Sequence, residues 1–324
     1  MSYPIEHIVL IIKENHTFDN YFGRFPGANG DGNLVKAPNP PQFDPNHTHK
    51  GWLNRAKGAV RLQYDEADIP AYWQYARQFA LCDNYFTDVA GPSTPNHLML
   101  IAADSPLIDN VHKSSEQDRE APKVPFDIPS LPEALEKASL TWKNYGGYAF
   151  EYVKNLRGSD NIVPSGQFAK DAAAGTLPSV SWVYASLIQA LFGDLSEHPT
   201  ANITKGMEWT VQQIEAIVKG GLWDKTAVFI TWDDWGGWYD HVEAPQVEAW
   251  SDGSQFRYGP RVPCLVLSPY AKPGHISHTL HSHVSLLKFC ETIFGLPPVT
   301  KRDQAASDML DCFDFKQQPL APPQ

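Results

Sequence analysis

Residues Ile8-Val9-Leu10-Ile11-Ile12 form an unbroken apolar run rich in β-branched side chains. A strand built from such a run has no polar face, so it must be covered on both sides, as in a parallel sheet packed between helices. Residues 180–184, 227–232 and 262–267 repeat the pattern. Helical spacing fills the intervals. Residues 70–81 carry aromatics at helical period. Residues 131–138 follow Ser130, with Glu133 placed to complete a capping box. Residues 204–219 align Met207, Val211, Ile214 and Val218, and residues 282–294 align Val284, Leu287 and Cys290 with Ile293 or Phe294. Strands alternating with helices predict an α/β chain with a mostly parallel sheet covered on both faces.

Two stretches break the alternation, residues 23–68 and 104–129, both poor in periodicity. Loops of that length inside a folded chain are either functional or mobile. The chain has 27 prolines and 22 glycines but no clean linker, so residues 1–324 are expected to form a single domain with long loops over the active site.

The formal charge of −11 gives no general attraction for nucleic acid or anionic lipid. A phosphate-ester substrate would therefore need a local inversion of the field, which a divalent cation supplies. Cys82, Cys264, Cys290 and Cys312 form no CxxC pair and read as buried thiols. The N-terminus has no basic stretch before its short apolar run, and that run is too short to span a bilayer. The expectation is a soluble chain without stable membrane insertion, cytoplasmic, or secreted or periplasmic if an export signal has been removed.

In sheets of this kind ligands bind beyond the carboxyl ends of the strands. The first strand runs into Lys13-Glu14-Asn15-His16, and the strand at 227–232 runs into Asp233-Asp234-Trp235-Gly236-Gly237. Each segment has an ordinary explanation by itself: Asp-Asp-Gly-Gly makes a turn, and Glu14-Asn15 can cap a short helix at 17–22. Together, Glu14, Asn15, Asp233 and Asp234 make an oxygen-rich ligand set for one divalent metal ion, Mg²⁺, Ca²⁺, Mn²⁺ or Zn²⁺. A third segment, Gly91-Pro92-Ser93-Thr94-Pro95-Asn96-His97, places Ser93 or Thr94 at a helix N-terminus, where the dipole favours a phosphate or simply accepts a capping residue. A hydroxyl beside a cation is a nucleophile for phosphorus. His47 and His198 lie in loops, where most histidines are merely solvated, yet phosphoryl transfer uses donors to non-bridging oxygens and an acid for the leaving group. His275, His278, His281 and His283 read as a polar loop. Trp235 or Trp238 could line a substrate pocket and stack on a choline-like cation.

These segments also resemble a known family. The stretch from Ile5 through Glu14-Asn15-His16-Thr17-Phe18-Asp19 to Gly23 is similar to the opening motif of the bacterial phosphoesterase family of acid phosphatases and phosphatidylcholine-type phospholipases C. Gly91 to Asn96 resembles its nucleophile segment, Glu197-His198-Pro199 its acidic-His-Pro block, Asp233 to Val242 its Asp-Asp-x-Gly-Gly block, and Arg261 through Tyr270 its last strand. The resemblance implies an alkaline-phosphatase-like three-layer α/β/α sandwich. It implies metal ligands at Glu14, Asn15, Asp233 and Asp234, a nucleophile at Ser93, and phosphate-binding or proton-transferring histidines at His47 and His198. His16 stands where many members carry Arg. The expected activity is metal-dependent hydrolysis of phosphate esters through a phosphoserine intermediate, on a small phosphate ester, with a phospholipid or phosphocholine headgroup as a further candidate. The alternatives are a carboxylate-based glycosidase, which would need neither metal nor Ser93, and a non-catalytic metal-containing binding protein.

Overall fold

The computed structural model of the protein describes residues 3–110, 123–185, 194–250 and 253–323. Eight strands form the main sheet: β1 (His7–Lys13), β2 (Ala80–Cys82), β3 (Trp142–Tyr145), β4 (Ile162–Val163), β5 (Val180–Tyr184), β6 (Thr226–Trp232), β7 (Cys264–Leu267) and β8 (His275–Ser277). Their spatial order is β8-β2-β7-β6-β1-β5-β3-β4. β1 lies between β5 and β6 and is parallel to both, and β7 is antiparallel to its neighbours β6 and β2. Every residue of β5 and β6 is buried, as a strand covered on both faces requires.

Five helices matter most for the site: α1 (Phe18–Phe22), α2 (Pro70–Gln78), α3 (Ser93–Ala102), α4 (Ile203–Lys219) and α5 (His283–Phe294). Strand register assigns them to faces. Leu10 lies opposite both Trp182 and Phe229, so these three side chains share a face. The Trp182 indole donates to Leu100 O of α3 at 2.9 Å, and Phe229 packs on Phe289 of α5. Lys13 and Trp232, also opposite one another, point to the other face. There Trp232 meets Tyr72 of α2, and the Lys13 ammonium lies over the Trp209 ring of α4.

The helix expected at 70–81 ends at Gln78, because Ala80–Cys82 is drawn into the sheet beside β7. The helix at Leu131–Lys137 forms, but Ser130 donates to the Glu133 carboxylate at 2.9 Å instead of capping the backbone. The box at the start of α5 does form, from Ser282 and Ser285. The first long excursion holds short elements of its own, including a helix at His49–Leu53 and a pairing of Val35–Lys36 with Leu62–Gln63. Residues 111–122 of the second excursion lie outside the described residues. Among the described residues no helix is long and apolar enough to cross a membrane.

Candidate active site

β1 and β6 end level with each other, with Lys13 opposite Trp232. Parallel strands in that register place the next residues side by side, so Glu14-Asn15 meets Asp233-Asp234 across 218 positions of sequence. All four are buried. The Asn15 amide N–H donates to Asp233 Oδ1 at 3.1 Å, and Asp234 N–H donates to the same oxygen at 2.7 Å. Asn15 takes a left-handed backbone (φ 65°), which an Asn tolerates better than most residues. Gly236, also left-handed at φ 59°, passes so close that a Cβ there would lie 2.1 Å from Asn15 O.

Ser93 is the first residue of α3, and its hydroxyl donates to Asp234 Oδ2 at 2.9 Å and lies 3.5 Å from Glu14 Oε2. The Thr94 N–H is engaged by Asn110 Oδ1 at 2.8 Å, so that amide is not available to a phosphate and the helix end contributes through its dipole. The Thr94 hydroxyl pairs with Tyr148 OH at 3.0 Å.

One end of the Asn15 side-chain amide lies 3.1 Å from Glu14 Oε2 and 3.0 Å from Asp233 Oδ1, and the other end 3.1 Å from His198 Nε2 and 3.3 Å from His47 Nε2. Both imidazoles are oriented by backbone carbonyls. His47 Nδ1 bonds Pro45 O at 2.8 Å and His198 Nδ1 bonds Pro199 O at 2.6 Å. Nδ1 therefore carries the proton in each ring, and Nε2 faces the site. The sequence block Glu197-His198 splits here: His198 turns into the site, while Glu197 turns beneath the sheet to Lys13.

His97 is the residue that sequence reading missed. It sits one turn after Ser93 on α3, and its Nε2 lies 3.4 Å from Glu14 Oε1 and 3.3 Å from Asp233 Oδ2. The i, i+4 spacing from Ser93 was the available signal. Burial alone would lower its pKa, but the carboxylates of Asp233 and Glu14 outweigh burial and push it up to about 10. Burial together with the Asp233 charge raises Glu14 and Asp234 above the ordinary carboxyl range. Asp233 falls below that range because contact with His97 more than offsets its burial. At His198 burial pulls the pKa down, and the nearby Glu14 and Asp44 charges raise it overall.

The residues fit a cation. Three buried carboxylates face one imidazolium, and buried Asp233 Oδ2 and His97 Nε2 have no well-aligned hydrogen-bond partner among the described residues. Glu14, His97 and Asp233 present ligand atoms within 4.8 Å of one another. The hydrogen bonds favour the Asn15 amide nitrogen toward these carboxylates and its oxygen toward the imidazoles, and only the reversed amide would turn the oxygen to a cation.

Outer residues fix this arrangement. His283 Nε2 bonds Asp233 O at 2.7 Å, and Trp238 Nε1 donates to Asn15 O at 3.0 Å. Trp235 Nε1 donates to His47 O, also at 3.0 Å. His16 is wedged between Asn20 Oδ1 (2.6 Å) and Glu197 O (3.0 Å), stacks on Tyr21 and Trp238, and is lowered to about 4 by burial. Two expectations are thereby corrected. His281 and His283 are fully buried, not parts of a polar loop. Trp235 and Trp238 line a cavity of about 60 Å³ with Trp52 and Arg55, which no reactive residue borders. The aromatic walls at the reactive groups are Tyr148 and Tyr184, around a recess of about 10 Å³ that Glu14 borders.

The Phosphoesterase family profile matches residues 5–44 and 41–297. Phospholipase C B of Mycobacterium tuberculosis (strain ATCC 25618 / H37Rv) is 26% identical, over 98% of this chain and 78% of its own. Hemolytic phospholipase C of Pseudomonas aeruginosa is 26% identical over 96% of this chain and 56% of its own. Non-specific phospholipase C5 of Arabidopsis thaliana is 25% identical over 94% and 73%. Among solved structures, a protein in the alkaline phosphatase superfamily from Vibrio parahaemolyticus superposes with TM-score 0.54 at 12% identity, covering 99% of this chain and 72% of that one. At that identity the likeness is one of fold, and the fold is alkaline-phosphatase-like.

Proposed function

The chain belongs to the Phosphoesterase family and is a phosphoric ester hydrolase, and from that premise we propose that it works through a phosphoserine at Ser93 with a divalent cation held by Glu14, Asn15, Asp233 and Asp234. The observation that carries this reading is the Ser93 hydroxyl, bonded to Asp234 Oδ2 at 2.9 Å among buried carboxylates at the start of a helix. When bound, the cation supplies positive charge that lowers the hydroxyl pKa and offsets charge on the phosphoryl oxygens.

The protein's own groups do the rest. Asp234 Oδ2 already accepts the Ser93 hydroxyl hydrogen and holds Oγ for in-line attack. The Oγ–P bond forms as the ester P–O bond breaks. His47 and His198, aimed by Pro45 O and Pro199 O, direct Nε2 at non-bridging oxygens, and one of them, as an imidazolium protonated on both nitrogens, gives its Nε2 proton to the departing oxygen and recovers it from the attacking water. Water then adds to phosphorus, the Oγ–P bond breaks, and Ser93 regains its proton. His97 lies between Glu14 and Asp233 and fixes both carboxylates. Glu14, Tyr148 and Tyr184 border the recess on this side of the site, and a small phosphate ester is the substrate class that this reading assigns. The named activity of the relatives adds phospholipid headgroups, whose choline would stack on those tyrosines.

The test compares a nitrophenyl phosphate monoester, the matching diester and phosphatidylcholine, each with several divalent ions. Hydrolysis that needs a cation and trapping of ³²P on Ser93 are expected. Full activity of a demonstrably metal-free enzyme, or of Ser93→Ala, would overturn the proposal.

A further inference from the structure

A second polar cluster lies at the far edge of the sheet. The ligand atoms of Cys82, His281 and Cys312 lie within 4.8 Å of one another, and all three residues are buried. Cys82 ends β2, His281 belongs to the short strand His281–Ser282 that leads into α5, and Cys312 closes the C-terminal turn Leu310–Cys312. The two Sγ atoms are 3.7 Å apart. Asp311 Oδ1 lies 3.1 Å from His281 Nε2 and 3.9 Å from Cys312 Sγ. We propose that Cys82, His281, Asp311 and Cys312 form a tetrahedral site for a zinc-like cation, separate from the oxygen-rich centre, that ties the C-terminal segment to the sheet.

Three of the six edges suit a tetrahedron, and Asp311, which lies outside the close group of Cys82, His281 and Cys312, would have to move its carboxylate toward Cys82 to complete it. With Zn–S bonds of about 2.3 Å and Zn–N bonds of about 2.0 Å, ligand-to-ligand edges come to roughly 3.3–3.8 Å, and the three separations above lie within a few tenths of an ångström of that range. A disulfide would instead need the sulfurs about 2.05 Å apart and would leave the imidazole and carboxylate without a task. The donor chemistry also separates the two centres. Thiolate and imidazole select zinc, cobalt or another borderline metal, whereas the carboxylate and amide set at Glu14 and Asp233 suits harder ions as well.

The surroundings are those of a metal ligand set. His281 Nδ1 bonds Ser307 Oγ, and its Nε2 faces Asp311 Oδ1 and Ser277 Oγ, both at 3.1 Å. Ser277 Oγ donates to Asp311 Oδ2 at 2.5 Å and fixes the carboxylate. Asp311 is one-third exposed and gives the ion a path in. Binding forms four metal–ligand bonds and releases the two thiol protons and the Nε2 proton, with no redox change. Four protein ligands leave no open position, so the site is structural.

The experiment uses the full chain, kept reduced, stripped with chelator and titrated with Co²⁺ and then Zn²⁺. A near-ultraviolet thiolate-to-cobalt band is expected, which the oxygen-rich centre cannot produce. Zinc should displace it and raise Tm. The band should persist in Asp234→Asn and vanish in Cys312→Ser. Should Cys312→Ser fail to fold, Asp311→Asn serves, with zinc affinity lowered roughly 10-fold or more. A folded, reduced wild-type protein without the band, or a Cys82–Cys312 disulfide forming in air under saturating zinc, would overturn the site.

Discussion

Lys13 and Glu14 are consecutive residues, yet they open onto two buried polar clusters on opposite faces of the sheet. Beneath it, Lys13 Nζ donates to Leu195 O (2.7 Å) and Gly206 O (3.0 Å) and pairs with Glu197 at 3.2 Å. Glu197 also accepts from Tyr21 OH (2.9 Å), Tyr72 OH (2.6 Å) and Trp232 Nε1 (3.0 Å). One cation meets one anion there, with hydrogen bonds to both. On the other face, Glu14 and Asp233 share His97 as their partner, Asp234 holds only the Ser93 hydroxyl and a backbone N–H, and burial raises the Glu14 and Asp234 carboxyls. A buried group whose charge and hydrogen bonds are satisfied is structural, whereas a buried excess of one sign stores a demand for a counter-ion. Depth and proximity do not distinguish the two clusters; charge balance does.

The largest expected effect falls on the unbalanced side. Ser93→Ala should lower kcat by on the order of 10⁴-fold or more, with an unchanged circular dichroism spectrum. Steady-state assays on a nitrophenyl phosphate check this, and activity within tenfold of wild type would place the reactive centre elsewhere. On the balanced side the effect should be on stability. Glu197→Gln strands a buried ammonium and should cost about 3–5 kcal/mol in urea denaturation, while Lys13→Met with Glu197→Leu should recover most of that loss. A double variant as unstable as the single would mean that packing, not charge balance, holds this face.

Asp234→Asn should give opposite signs in two conditions. Without metal it relieves like-charge repulsion, so Tm should rise; with saturating divalent ion it loses a ligand, so Tm should fall below wild type while turnover collapses. Equal shifts in both conditions would contradict the counter-ion argument. The smallest effect lies away from both clusters. Burial, with Asp303 beside it, pushes the Glu291 carboxyl up to about 8 from an ordinary 4.5. Between those values the folded chain holds a proton that the unfolded chain has released, so stability falls as pH rises through that window and levels off above it. Glu291→Gln should flatten this slope in urea melts across the window.

The sequence disclosed more of the frame than of the site. Apolar runs at 180–184 and 227–232 became β5 and β6 with bounds shifted by one residue at most, because burial on both faces leaves a local signature. Ser93 at a helix start was equally legible, from Pro95 and the apolar run that follows. His97 was not, since a histidine inside an apolar helix looks the same whether it meets carboxylates or only packs. The thiol cluster was read as scattered cysteines, because Cys82 and Cys312 are 230 positions apart.

The amino-acid order by itself determined which segments become strands, where each strand gives way to polar residues, and that Ser93 or Thr94 stands at a helix start; all of these are local consequences of side-chain period and capping. Tertiary structure alone decided that β1 and β6 pair with Lys13 opposite Trp232, which brings Glu14-Asn15 against Asp233-Asp234 and sends Lys13 and Glu197 to the other face. Strand partner and register arise from packing the whole sheet between its helices, and no window of residues around either strand contains that information.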